Sequence, residues 1–214
     1  MAYGTSQRLR PEETAILIID MQNDFVEKEG GLGRSGKDMD HVLNIVPNIS
    51  RMVEFCRSNK VFVVFVITIH SEHTDSSIWK DRFGSETIAP LCRPGTWGAE
   101  PVKELAPLPS EPVVVKHRYS GMLDTDLPVI LRSKGIRKLL VTGNATNVCV
   151  DSTVRHAYMM DFLTITLSDC VGTADRELHE PTLRNLALHF GLVKTSDEAM
   201  KMFSEGRTAM SAGQ

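Results

Sequence analysis

Five nearly continuous apolar runs constrain the fold of this chain more than any other feature. They are TAILIID (14–20), VFVVFVITIH (61–70), PVVVKH (112–117), RKLLVTG (137–143) and FLTITLSDC (162–170), with a sixth, weaker run at GLVKTSD (191–197). The runs are rich in Ile, Val and Leu and do not alternate with polar residues. A strand with one face in water alternates, whereas a strand covered on both faces does not, so the runs predict a parallel sheet between helices. Helical patterns separate the runs. IVPNISRMVEFCRSN places Ile49, Met52, Val53 and Cys56 on one face, at i, i+3, i+4 and i+7. DLPVILRSKG reads as a short helix stopped by Gly135, and NVCVDSTVRHAYMMD and HEPTLRNLALHFG complete the set. The alternation predicts a single three-layer α/β/α domain over residues 1–214, with its core at about 13–203 and a doubly wound six-stranded parallel sheet. Residues 71–111 are irregular and carry RPGTWGAEP, a loop of the length expected for a lid or pocket wall. The closing MSAGQ reads as a frayed tail.

A net charge of −3 leaves no footprint for a polyanion, so nucleic acid is not an expected partner. No run approaches the roughly 18 apolar residues of a membrane span. MAYGTSQRLRPEET has no signal-peptide core, which predicts a cytoplasmic chain. Four cysteines, Cys56, Cys92, Cys149 and Cys170, stand far apart and form neither a disulfide framework nor a C-x-x-C pair. Cys56 belongs to a buried helix face, and Cys92 and Cys170 read as structural. GLGRSG (31–36) matches a dinucleotide-binding spacing, but it begins well past the strand and reads as a flexible turn. NIS and NAT match a glycosylation sequon that has no meaning in a cytoplasmic protein.

Ligands of open α/β sheets bind outside the carboxyl ends of the strands, so the last residue of each run is informative. The first run ends in Asp20, the second in His70 and the third reaches Lys116; the fourth ends at Gly143, shortly before Cys149. A carboxylate, an ammonium and a thiol would share one rim. Only a thiolate attacks; a helix start and a lysine stabilise that anion, and an aspartate can accept the proton. The tight turn GNAT would leave N–H groups free to hold an oxyanion. The other reading of Cys149 is a small buried hydrophobe at a strand end. Residue spacing leaves both open.

Three ordered blocks, AILIIDMQNDFV, VVVKHRYSGMLDTDL and VTGNATNVCVDST, resemble the signatures of isochorismatase-like cysteine hydrolases over about residues 13–203. Within that superfamily the chain looks most like the branch of ureidoacrylate amidohydrolase, N-carbamoylsarcosine amidase and biuret hydrolase. The resemblance implies Cys149 as nucleophile, Asp20 as general base and acid, and Lys116 as the group that assists the thiolate and orients Asp20. It implies a cis peptide at Asn144–Ala145 and an oxyanion hole of the Ala145 and Cys149 N–H groups. It also implies a homodimer or homotetramer. The expected activity is a cofactor-free cysteine amidohydrolase that cleaves a C–N bond of a small linear amide or ureido compound and releases ammonia. Two alternatives are a nicotinamidase-like, metal-assisted amidase and an inactive binding protein of the same fold.

Two departures from the family pattern stand out. Asn144 occupies a position usually held by Ile, Val or Cys, and a polar group there needs a partner. Nicotinamidases carry an Asp-x-His metal site at the second strand end; here TIHSEH has Thr68 in place of the aspartate. His70 and His73 remain with no carboxylate at that position, so no metal is expected. Phe25, Trp79, Tyr119 and Thr146 are candidates to line the substrate pocket, and Arg82 and Arg118 to bind a substrate carboxylate.

Overall fold

The structure is a computed structural model that describes residues 8–82 and 91–211, with the side chains of Arg82 and 206–211 excepted. Its centre is a six-stranded sheet of β1 (Thr14–Ile19), β2 (Phe62–Thr68), β3 (Val113–Lys116), β4 (Lys138–Asn144), β5 (Leu163–Gly172) and β6 (Leu192–Lys194). The strand order is β3-β2-β1-β4-β5-β6, and every pairing is parallel.

The absence of alternation in the runs has a direct cause in packing. Along β1, Ile16 and Ile18 point to one core cluster, while Ala15, Leu17 and Ile19 point to the other. The first cluster is closed by α3 (Asp40–Ser58) and α8 (Ser196–Ser211), through residues such as Ile49, Met52, Cys56 and Phe203. The second is closed by α5 (Leu127–Ser133), α6 (Asp151–Met159) and α7 (His179–His189), through Leu131, Val154 and Leu186 among others. Helices on both faces bury both sides of each central strand, which is the expected three-layer, doubly wound arrangement. Winding outward in both directions from β1 and β4 opens a crevice above their carboxyl ends.

The helix face of Ile49, Met52, Val53 and Cys56 is buried as its periodicity predicted, and Gly135 takes φ 69° after α5. Other expectations are corrected. β2 stops at Thr68, two residues short of His70. Within GLGRSG, where a turn was expected, Gly31–Arg34 forms one helical turn, α2, packed against Asp24 and Leu91. α8 runs on to Ser211, so the first residues of MSAGQ are helical, and 212–214 lie outside the described residues. The 71–111 segment contains α4 (Ser77–Arg82) and a buried portion. Cys92, Ala99, Val102 and Leu105 are all in the interior, and Val102 N–H donates to Met21 C=O at 2.9 Å. That portion is packed under the first motif.

Candidate active site

β1 delivers Asp20 by an abrupt turn. Asp20 has φ 51°, a left-handed conformation that aspartate tolerates better than most residues. Both of its backbone groups are held. Its N–H donates to Val66 C=O at 2.9 Å, and its C=O accepts from the Asn144 amide at 2.7 Å. Asn144 is buried, so this bond is the partner its polar side chain needed. The preceding Gly143 is required where the strands meet: it has φ 114°, and a Cβ there would lie 2.0 Å from Ile19 C=O.

Parallel pairing sets Thr68 beside Lys116 in register, so both side chains project to the same face. The Lys116 ammonium is fully buried and lies 2.8 Å from Asp20 Oδ2. It also donates to Thr68 Oγ1 at 2.6 Å, to Arg118 C=O at 3.2 Å and to Cys149 Sγ at 3.5 Å. Thr68 passes the chain on, its hydroxyl donating to Asp20 Oδ1 at 2.8 Å. Asp20 Oδ2 is buried, lies 2.8 Å from the ammonium and has no hydrogen bond of ordinary geometry among the described residues.

Cys149 sits on a π-helical turn, Thr146–Val150, that runs straight into α6. The peptide before the turn, Asn144–Ala145, is cis. The N–H groups of Val148 and Val150 both close on Ala145 C=O, at 3.0 and 3.2 Å. The Ala145 and Cys149 N–H groups take part in neither bond. Thr153 ties the second and third sequence blocks together: its hydroxyl donates to Cys149 C=O at 2.7 Å and accepts from Gly121 N–H at 2.9 Å.

Burial is the largest influence on the Cys149 thiol, which is pushed up to about 12; Lys116 pulls it down, and Asp20 pushes it further up. The helix start and the lysine are present, but desolvation outweighs them. Burial alone would lower the Lys116 ammonium, yet Asp20 and Cys149 raise it, so it stays charged. The resting site is a thiol beside a buried ion pair.

The family profile described as isochorismatase domain matches residues 14–198. The chain belongs to the isochorismatase family. It is 31% identical over 211 residues to a ureidoacrylate amidohydrolase of Pseudomonas syringae, covering 92% of this chain and 86% of that one. A solved isochorismatase-like hydrolase of Alkaliphilus metalliredigens superposes with a TM-score of 0.77 at 32% identity, over 88% of this chain and 98% of that one. A cysteine hydrolase of Pseudomonas syringae pv. phaseolicola superposes with a TM-score of 0.83 at 25% identity, over 93% and 96% of the two chains.

In this isochorismatase-family structure, three of the pocket candidates, Trp79, Tyr119 and Arg118, cluster together. The Trp79 ring lies 4.9 Å from Tyr119 and 5.4 Å from His70, and the Arg118 guanidinium lies 5.3 Å from its centroid. Arg118 Nη1 is spent on Thr74 C=O at 3.0 Å and on His117 C=O. Phe25 is partly buried in the short helix α1 (Asn23–Val26), and Arg82 ends α4 with a side chain outside the described residues. Thr146 is fully buried, and its hydroxyl pairs with His179 Nδ1 at 3.0 Å.

His70 has a carboxylate partner after all. Asp75 Oδ1 is 2.9 Å from His70 Nδ1, and Arg93 holds the other oxygen of Asp75 at 2.9 Å. His73 is exposed. Among the described residues no group of three or more His, Cys, Asp or Glu side chains is arranged to hold a metal ion. No helix among them is long and apolar enough to cross a membrane.

Sequence reading missed Gln22, whose amide brackets the Thr68 backbone. It accepts from Thr68 N–H at 2.7 Å, and donates to Thr68 C=O and to Ala99 C=O, each at 2.8 Å. Its place two residues after Asp20 was the available signal.

Proposed function

We propose that the chain is a cysteine amidohydrolase that uses Cys149 as nucleophile, Asp20 as proton carrier and Lys116 as the charge between them. The observation that carries this reading is the position of the Lys116 ammonium, 2.8 Å from Asp20 and 3.5 Å from Cys149 Sγ. A raised thiol and an open carboxylate oxygen suit a nucleophile activated only as it reacts.

In the proposed cycle Asp20 Oδ2 takes the thiol proton as Sγ bonds to the substrate carbonyl carbon. The carbonyl oxygen becomes an oxyanion, held by the Ala145 and Cys149 N–H groups. Collapse breaks the C–N bond, and the leaving nitrogen takes the proton from Asp20. The remaining acyl or carbamoyl group is a thioester or thiocarbamate on Cys149. Water then adds to it, giving a proton to Asp20, and the sulfur leaves and recovers that proton. Lys116 stays charged throughout and offsets the negative charge as it moves between carboxylate and sulfur.

The substrate class we propose is a small linear amide or ureido compound, with ammonia as a product. The similarity to ureidoacrylate amidohydrolases supports ureidoacrylate as the first compound to test. The test is ammonia release across ureidoacrylate, biuret, N-carbamoyl amino acids, nicotinamide and maleamate. Turnover of a linear amide or ureide above nicotinamide, whose carboxamide is carried on an aromatic ring, is expected. Preference for nicotinamide would move the assignment to the nicotinamidase-like alternative.

A further inference from the structure

Thr68 stands where sequence comparison leaves only an absence, a residue that is not a metal ligand. Its position in the fold gives it a positive part. We propose that Thr68 is a positioning residue that fixes which oxygen of Asp20 receives the Cys149 proton; the inference rests on the cysteine-nucleophile reading above.

The Thr68 hydroxyl has one hydrogen, and that hydrogen goes to Asp20 Oδ1 at 2.8 Å. Its oxygen accepts from Lys116 at 2.6 Å. A hydroxyl that accepts from a permanent cation must turn its own hydrogen elsewhere, so the Lys116 contact sets the direction of the Asp20 contact. With Oδ1 occupied, Oδ2 is the oxygen without an ordinary hydrogen bond. The thiol therefore meets a carboxylate whose rotation is fixed by Thr68 at Oδ1 and by the Lys116 ammonium, 2.8 Å from Oδ2.

The surroundings leave Thr68 little freedom to do otherwise. It is buried, and β1 has already turned away at Asp20, so the end of β2 has lost its strand partner on that side. The Gln22 amide takes the place of that partner, with bonds at 2.7 Å to Thr68 N–H and 2.8 Å to Thr68 C=O. On the other side, Thr68 pairs with Lys116 in the β2–β3 register. A side chain clamped by its backbone on both sides is pre-organised, which is what a proton relay in a water-poor site requires.

The test compares Thr68→Val, which keeps the branched shape and removes the hydroxyl, with Thr68→Ser, which keeps the hydroxyl. Iodoacetamide alkylation of Cys149 at pH 9, followed by mass spectrometry of its peptide, needs no substrate. Thr68→Val should slow it by about tenfold, the scale of one charge-assisted hydrogen bond, and Thr68→Ser should stay within about twofold of wild type. On the best amide from the ammonia screen, Thr68→Val should lower kcat by a similar factor and leave KM unchanged. If Thr68→Val does not fold, labelling will spread to Cys56, Cys92 and Cys170. Thr68→Ala must then show the same slowing with those three protected. Wild-type rates in Thr68→Val or Thr68→Ala, or an equal loss in Thr68→Ser, would overturn the inference. The nucleophile reading fails separately, and takes the inference with it, if alkylating Cys149 in the wild type leaves turnover intact.

Discussion

The side-chain amide of Asn144 donates to the backbone carbonyl of Asp20 across the β1–β4 crevice, at 2.7 Å. The residue before the cis peptide thus holds the residue that carries the carboxylate. Asn144→Val would leave that carbonyl without its donor inside the fold. A loss of about 1–3 kcal/mol in stability is expected, and thermal melting should fall by several degrees. Activity should fall as well, because Asp20 would lose one of the two bonds that hold its left-handed backbone. An unchanged melting temperature with unchanged turnover would mean that the contact is incidental.

Lys116 and Asp20 form a buried ion pair, and removing one partner leaves the other charge stranded. Lys116→Met should destabilise the chain by about 3–5 kcal/mol in urea unfolding. It should also move Cys149 alkylation to higher pH, because Lys116 is the main influence that lowers the thiol. Lys116→Arg keeps the charge on a different fork, so its alkylation curve should move less and activity should be partly retained. Identical alkylation curves for wild type and Lys116→Met would reduce the proposed site to a Cys–Asp pair.

The thiol itself makes a prediction about alkali. Its proton is held more tightly in the folded chain, up to about 12, than in an unfolded one, where a thiol titrates near 8.5. Between those two values the folded state binds more protons, so this group's contribution to stability declines as pH rises. Below 8.5 both states are protonated and the contribution is constant. Cys149→Ala should therefore lose less stability than wild type between pH 8.5 and 11, measured by urea unfolding. Equal losses would argue that the thiol is not desolvated.

Asp20, Lys116 and Cys149 were legible as candidates because a parallel sheet gathers its strand ends, and the turns that follow them, on one rim. Their connection through Thr68 was not, because it depends on the register of Thr68 against Lys116, and register is a tertiary property. Asn144 could be read as a polar residue in need of a partner, but the partner is a backbone carbonyl that only the turn at Asp20 presents. The pairing of Thr146 with His179 had no local signal, since His179 opens a helix far along the chain. Asp75 escaped attention because it follows His70 by five residues, outside the Asp-x-His spacing. The raised thiol was not legible for a different reason. Charges can be listed from a sequence, whereas desolvation requires the packed site.

The residues at the end of β2 bear on metal. Thr68 is engaged between Lys116 and Asp20, and His70 Nδ1 is engaged by Asp75. Dialysis against EDTA should leave the rate of ammonia release unchanged. A rate lost to the chelator and restored by zinc, manganese or iron would favour the metal-assisted alternative.

The central claim is that Cys149 forms the bond to substrate. Its most direct test is ammonia release by Cys149→Ala, on the amide that the wild type hydrolyses best, beside a melting curve of the same protein. The account predicts a loss of at least about a thousandfold with the melting temperature nearly retained, since the nucleophile has no substitute in the site. Turnover near the wild-type rate by folded Cys149→Ala would contradict it.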